Sequence, residues 1–115
     1  MEFFKKAIEI NPNFNEAIND LGKAYFLLKD FKNAIKTFEL LVPTFQHNAE
    51  LLKDLGSAYG NLKQWDKAIE YFSRAVNNAP NDADAWEKLA ICYQSKGDKY
   101  KSTSCHLKAL ELKKK

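Results

Sequence analysis

The sequence predicts an all-α fold, an α-solenoid of stacked helix-turn-helix hairpins, from three observations. A Leu-Gly-x-Ala-Tyr motif at Leu21 recurs unchanged at Leu55 and as Leu-Ala-x-Cys-Tyr at Leu89, each copy 34 residues after the last. Apolar residues within each copy recur at spacings of three and four, which is the period of an amphipathic helix. Of the 115 residues, 45% are hydrophobic and 29% are charged, which is the composition of a globular chain.

The first predicted element is the second helix of a preceding repeat, at residues 1–12. Projecting the 34-residue register backward places Phe4 at the position of Phe38 and Phe72, so the chain is expected to begin inside a repeat. Phe4 and its apolar neighbours would then expose area that another repeat would cover, which favours association through the ends.

The first full repeat is predicted at residues 15–48, with its first helix at about 14–28. The apolar stripe of this helix comprises Ala17, Ile18, Leu21, Gly22, Tyr25 and Leu28. Gly22, like Gly56 in the next repeat, lies in mid-helix, where glycine costs about 1 kcal/mol relative to alanine. A close approach of the paired helix is the expected compensation. Pro43 removes a backbone donor, so the second helix is expected to end near residue 42.

Two further repeats follow in the same register. Their predicted boundaries are 49–82 and 83–115, and their first helices span about 48–62 and 82–96. Asn48 and Asp82 are suited to cap the N-termini of these helices, because a short polar side chain can accept a bond from the first turn. Pro12 and Pro80 are expected to end the helices that precede them.

Each repeat then has a short polar turn and a second amphipathic helix. The turns are predicted around Asp30, Gln64 and Gly97. In the third repeat, Ser102 and His106 stand where the earlier repeats have alanine and phenylalanine. The second helix of that repeat is therefore expected to pack less tightly.

These residues resemble the tetratricopeptide repeat family, whose unit is 34 residues long. The middle repeat fills eight signature positions with Leu52, Leu55, Gly56, Tyr59, Ala68, Phe72, Ala75 and Pro80, where Leu52 replaces the tryptophan of the family. The resemblance implies a right-handed superhelix with three repeats after a leading half-repeat helix, whose first helices line a concave groove. It also implies a non-catalytic protein–protein interaction scaffold that binds a partner peptide or helix in that groove.

The residues offer little for catalysis or for a cofactor. Cys92 lies on the apolar side of its helix and is expected to be a core residue. Cys105 and His106 are adjacent, and His47 is far away in sequence, so no zinc-ligand spacing exists. The sequence has neither of the glycine-rich phosphate-binding motifs. We therefore expect no enzymatic activity, no cofactor and no metal site.

The polar faces of the first helices are the predicted binding groove. The candidate residues are Glu16, Asn19, Asp20, Lys23, Phe26 and Leu27, then Glu50, Lys53, Asp54, Ser57 and Asn61, and finally Asp84, Glu87, Lys88 and Ile91. Six of them are acids and three are lysines, on a chain of net charge +3. An acidic groove favours a basic or amphipathic peptide. Ordinary solvated helix faces remain an equally supported interpretation.

Some members of the resembling family hold the C-terminal tails of chaperones with a clamp of lysine, asparagine and arginine. The corresponding places here are Asn19, Lys23, Asp54, Asp84 and Lys88. Two of these are acids that would repel a carboxylate, which argues against chaperone tails. The acidic groove likewise argues against nucleic acid, because it would repel phosphate.

Other features bound the partners and the compartment. No apolar run reaches the length of a membrane span, so no membrane partner is expected. Two cysteines and no signal peptide indicate a cytoplasmic protein. Two alternatives to the scaffold stay open: self-assembly into a homo-oligomer through uncapped apolar ends, and an accessory arm of an enzyme whose catalytic domain lies outside these residues.

Overall fold

A computed structural model describes the backbone of residues 12–114 and the side chains of residues 14–114. The described residues form six helices, α1 Pro12–Leu27, α2 Phe31–Glu39, α3 Ala49–Asn61, α4 Trp65–Asn78, α5 Ala83–Lys96 and α6 Lys99–Lys113. No strand occurs among them. The predicted second-helix remnant at residues 1–12, including Phe4, lies outside the described side chains.

The described helices pack in consecutive pairs within two compact units, which comprise residues 12–46 and 47–114 of the described chain. In the first unit, α1 packs on α2. In the second, α3 packs on α4, α5 packs on α6, and α5 also packs on the preceding hairpin, mainly on α4. The predicted all-α fold of helical hairpins is confirmed.

Short polar side chains begin most of these helices, as the sequence predicts. The Asn48 side chain accepts a hydrogen bond from the Leu51 N–H at 3.1 Å, and the Asp82 side chain accepts one from the Ala85 N–H at 3.2 Å. Asp30 caps α2 in the same way. Each cap satisfies a backbone donor that has no partner inside the helix.

Two predicted helix boundaries differ from the structure. α1 begins at Pro12, two residues before the predicted start, because proline is well suited to the first helical position, where its missing N–H is not needed. α2 ends at Glu39 and not near residue 42. The Leu41 and Val42 N–H groups bond instead to the carbonyls three residues before them, which makes the segment before Pro43 a tighter turn.

Two glycines let a phenylalanine ring lie directly against a helix backbone. A Cβ atom added at Gly22 would lie 2.6 Å from a ring carbon of Phe38, and one added at Gly56 would lie 2.9 Å from ring carbons of Phe72. Both rings are buried. The predicted close approach of the paired helix is therefore confirmed, and its cause is an aromatic ring that occupies the space of a missing side chain.

The third hairpin lacks this aromatic contact. Ala90 stands in the register of Gly56, and the exposed His106 stands in the register of Phe72. The Ser102 hydroxyl donates a hydrogen bond to the Ala90 carbonyl at 2.9 Å. Only Cys105 and Ala109 of α6 are buried, whereas α4 buries five residues. Because α5 also packs on α4, this difference does not by itself test the looser packing of α6, which stays a prediction.

The predicted apolar stripe of α1 is only partly buried. Leu55 is 0% exposed, but Leu21 in the same register is 49% exposed. Leu28, expected in the helix, lies in the turn after α1 and is exposed, because α1 ends at Leu27. The prediction that Leu28 belongs to the packed stripe is therefore wrong.

Candidate functional site

Nine of the fifteen predicted groove residues lie in the second unit, on α3 and α5, which are the first helices of its two hairpins. We call them together the α3–α5 face: Glu50, Lys53, Asp54, Ser57 and Asn61 of α3, and Asp84, Glu87, Lys88 and Ile91 of α5. α3 and α5 contact each other directly. This contact brings charged groups of the two helices together.

Lys53 is the centre of the charged groups on the α3–α5 face. Its Nζ donates a hydrogen bond to Asp82 Oδ2 at 2.9 Å and lies 3.4 Å from Asp84 Oδ2 and 3.9 Å from Glu50 Oε2. The side chain of Lys53 is only 15% exposed, whereas those of Glu50 and Asp84 are 69% and 58% exposed. The ammonium group is thus sheltered and two of its carboxylates face solvent.

The Lys53–Asp82 hydrogen bond shifts both groups toward their charged forms. Burial is the largest influence and opposes the charge on each residue. The hydrogen bond and the nearby charges outweigh burial, so the pKa of Lys53 is raised above 10.5 and the pKa of Asp82 is lowered below 3.8. The pair is therefore fully charged at neutral pH and connects α3 to the first turn of α5.

The variant Lys53→Met is expected to lower the free energy of unfolding at neutral pH by about 1–2 kcal/mol. Methionine keeps the apolar stem but leaves Asp82 without its charged donor. Lys67→Met is the matched control, since Lys67 is exposed and has one carboxylate at 3.9 Å; its loss should be close to zero. Urea denaturation of both variants measures the difference.

The same comparison has an expected pH dependence. The lowered pKa of Asp82 gives stability that is present above its ordinary value of 3.8 and is lost as the pH falls through the lowered value. The difference between the wild type and Lys53→Met should therefore shrink below about pH 3.8. A difference that stays constant to the acid limit would show that Lys53 acts only through packing.

The other charged groups of the α3–α5 face make weaker or peripheral contacts. Lys88 Nζ lies 3.9 Å from Asp84 Oδ1. Glu87 accepts a hydrogen bond from Lys113 of α6 at 2.5 Å, and this bond lowers the pKa of Glu87. The exposed Ile91 adds apolar surface on α5. Glu87 and Ile91 also line a cleft between α5 and α6.

The remaining predicted residues lie on α1, in the first unit. They are Glu16, Asn19, Asp20, Lys23, Phe26 and Leu27. Glu16, Asp20 and Lys23 are exposed, and Leu27 is exposed at the end of the helix. The ring of Phe26 packs edge-on against that of Phe31, with centroids 5.2 Å apart. This contact holds the hairpin turn of the first unit.

One member of the charged cluster, Asp82, is not among the groove residues predicted from the sequence. Asp82 was predicted only as a helix cap, yet its second carboxylate oxygen binds Lys53, 29 residues earlier. The signal was present in Asp82 and Asp84, two acids at the start of α5, which is the first helix of the hairpin after the one that contains Lys53. Recognising it required knowing which turn of α3 the start of α5 contacts.

The two cysteine thiols, Cys92 and Cys105, are buried in the part of the chain that the structure describes. Burial raises the pKa of Cys92 to about 11, so its thiol is protonated at neutral pH. Burial also raises the pKa of Cys105. Residues 14–114 contain no cluster of three or more His, Cys, Asp or Glu side chains that could hold a metal ion. None of the described helices has the length and apolar character needed to cross a membrane.

Known repeats match this arrangement of hairpins. One tetratricopeptide repeat model matches residues 16–42 and 83–115, and a second tetratricopeptide repeat model matches residues 49–92. The chain belongs to the tetratricopeptide repeat family. The resemblance drawn from the 34-residue motif is thereby confirmed.

Solved structures similar to this tetratricopeptide repeat chain include several of MamA. A crystal structure of MamA is 26% identical to this chain and has a TM-score of 0.82. The match covers 86% of this chain and 58% of the MamA chain. MamA from Desulfovibrio magneticus RS-1 is 26% identical and has a TM-score of 0.85, and that match covers 96% of this chain and 63% of the MamA chain. A MamA mutant that is 23% identical has a TM-score of 0.86, and the match covers 96% of this chain and 81% of the mutant's chain. No curated protein matches the sequence.

Proposed function

We propose that this tetratricopeptide repeat chain is a non-catalytic scaffold that binds a basic or amphipathic peptide or helix of a partner protein on the α3–α5 face. The observation that carries the proposal is the placement of charge around Lys53. Three carboxylates surround one ammonium group, and the ammonium is the sheltered member. A cation approaching from solvent therefore meets Glu50 and Asp84 first.

The electrostatics support a positively charged ligand. The cluster keeps a surplus of one negative charge, because Lys53 and Lys88, which lies 3.9 Å from Asp84, offset two of its three carboxylates. Complementary charge speeds association and selects among partners more than it adds affinity. A basic peptide is thus favoured over an acidic one, and its binding should weaken as salt is added.

The apolar part of the ligand has a contact site on the same face. Ile91 is exposed one turn after Lys88 on α5. An amphipathic helix could place a basic residue near Asp84 and an apolar residue on Ile91, since both contacts lie on one helix. The family membership supports this use of the fold, because stacked helical repeats form extended binding surfaces.

Charge reversal at Glu50 tests this function. A lysine-rich amphipathic peptide carrying a fluorescent label is titrated with the wild type and with Glu50→Lys. We expect Glu50→Lys to weaken binding by about three- to tenfold, because an exposed attraction becomes a repulsion. The matched control is Glu70→Lys, which makes the same change at an exposed residue of α4 and should leave the affinity unchanged.

The opposite result is equally well defined. If Glu50→Lys binds the peptide as tightly as the wild type, or more tightly, the α3–α5 face does not recognise cations. A glutamate-rich peptide with the same apolar residues serves as the negative control, and it should bind more weakly than the lysine-rich peptide.

The proposal includes the remaining sequence predictions for this chain. It places the protein in the cytoplasm without cofactor or metal, and it assigns the repeats to residues 15–48, 49–82 and 83–115. Protonated, buried thiols at Cys92 and Cys105 support a non-catalytic role.

A further inference from the structure

α5 and α6 enclose an open cleft of about 480 Å³ at one end of the second unit. Its walls include Glu87, Ile91 and Gln94 of α5, and Ser102, Thr103 and His106 of α6. We call it the α5–α6 cleft. It mixes apolar groups with hydrogen-bonding groups, which is the character of a protein-binding surface.

One repeat earlier, the corresponding surface is covered by a helix of the same chain. α5 itself packs on α4 and contacts α3. Val76 of α4 is 5% exposed, whereas Leu110, which has the same register on α6 and lies one turn after the cleft residue His106, is 41% exposed. Ile91 of α5 is exposed as well. The α5–α6 cleft is thus the counterpart of a surface that this chain already uses to bind a helix.

The charge at the edge of this surface is reversed between the two repeats. Lys53 binds Asp82 and Asp84, which lie at the start of the incoming helix α5. Glu87 stands in the register of Lys53. A helix that docked on the α5–α6 cleft as α5 docks on its own surface would therefore bring its first turn to a carboxylate.

Glu87 has a partner that an incoming cation could replace. Its carboxylate binds Lys113, but both side chains are partly exposed, at 38% and 52%. Exposed ion pairs contribute little to stability, so exchanging Lys113 for another cation costs little.

We propose that the α5–α6 cleft binds an amphipathic helix of a partner protein whose first turn carries lysine or arginine. Its cation pairs with Glu87, and its apolar side packs on Ile91 and Leu110. This inference rests on the scaffold function proposed above, since it names a partner class for the same unit. It does not depend on Glu50 or on the cluster around Lys53.

A pair of synthetic peptides tests the predicted charge preference. The reference peptide has the sequence of residues 81–97, which includes α5, with Cys92→Ala to prevent oxidation. The second peptide adds Asp82→Asn, which keeps a good helix cap, and Asp84→Lys, which supplies the basic first turn. Both are labelled and titrated with the full chain.

The wild type should bind the D82N/D84K peptide about three- to tenfold more tightly than the reference peptide. The variant Glu87→Lys should reverse this preference, because it restores the charge that Lys53 presents to α5. Glu111→Lys, an exposed change of the same size on α6, is the control and should keep the wild-type preference.

Equal binding of the two peptides, or a preference that Glu87→Lys leaves unchanged, would overturn the proposal. Backbone amide shifts give the location: changes at Gln94, Thr103 and His106, which line the cleft and lie outside the α3–α5 face, support the cleft. Changes confined to the α3–α5 face around Glu50 reject the cleft and leave the scaffold function standing. Loss of both this binding and the binding of the lysine-rich peptide rejects the scaffold function as well.

A second copy of the chain is the competing occupant. Sedimentation of the protein without peptide distinguishes the two. A monomer at the concentrations of the titration supports the partner helix. Self-association that Glu87→Lys or Leu110→Asp abolishes would assign the cleft to a second copy and overturn the partner assignment.

Discussion

Replacing Phe72 with alanine is expected to lower the free energy of unfolding by about 3–5 kcal/mol. The ring is 2% exposed and lies against the backbone of α3 at Gly56, where an added Cβ would be 2.9 Å from it. Glycine offers no side chain that could move into the space left by the ring. The cavity would therefore stay open, and both the burial and the contacts of the ring would be lost.

His106→Ala is the matched control for Phe72→Ala. His106 occupies the same register in the next hairpin but is exposed. Its removal should change the free energy of unfolding by no more than about 0.5 kcal/mol. Urea denaturation followed by circular dichroism measures both variants. Similar losses for the two would show that the ring at position 72 does not fill the space above Gly56.

The second large effect is expected for Leu55→Ala, at about 2–5 kcal/mol. Leu55 is 0% exposed in the middle of α3, the helix that packs on α4. Deleting its side chain leaves a void among neighbours that are held in place by two helices. The same denaturation experiment gives the magnitude.

Leu107→Ala is the control for Leu55→Ala, because it makes the same chemical change in the same unit. Leu107 is 59% exposed, so its truncation should cost less than about 1 kcal/mol. If Leu107→Ala were as costly as Leu55→Ala, the burial pattern described for the second unit would be incorrect.

The repeating pattern predicted the helical hairpins because their causes are local. Asn48 and Asp82 cap helices through atoms three residues away, so their role is readable from neighbouring residues. The glycines at 22 and 56 were readable for a different reason. Each glycine destabilises its helix relative to alanine, and it does so at the same position of the repeat. A destabilising residue that recurs at one position indicates a contact that requires it.

The errors arose where one hairpin differs from the others. Leu21 has the register of the buried Leu55 but is half exposed, because burial depends on what packs against a residue and not on its period. The early end of α2 at Glu39 depends on the turn before Pro43, which the first repeat alone contains. A repeat pattern averages over such differences.

The site could be predicted only in part. The acidic character of the α3–α5 face follows from the residue types predicted to lie on it. The low exposure of the Lys53 side chain does not follow from them. That feature depends on Asp82, which lies 29 residues away along the chain and meets Lys53 only after α5 has packed. The sequence register shows that Glu87 stands at the position of Lys53. What this change of charge implies follows only from the contacts that Lys53 makes with α5.

The most direct test of the scaffold function is a nitrogen-15 chemical-shift titration of the full chain with the lysine-rich amphipathic peptide. We expect the largest changes at the amides of Glu50, Asp84 and Lys88, and little change at the exposed residues of α4, such as Glu70. Changes that follow α4, with none on α3 or α5, would contradict binding at the α3–α5 face.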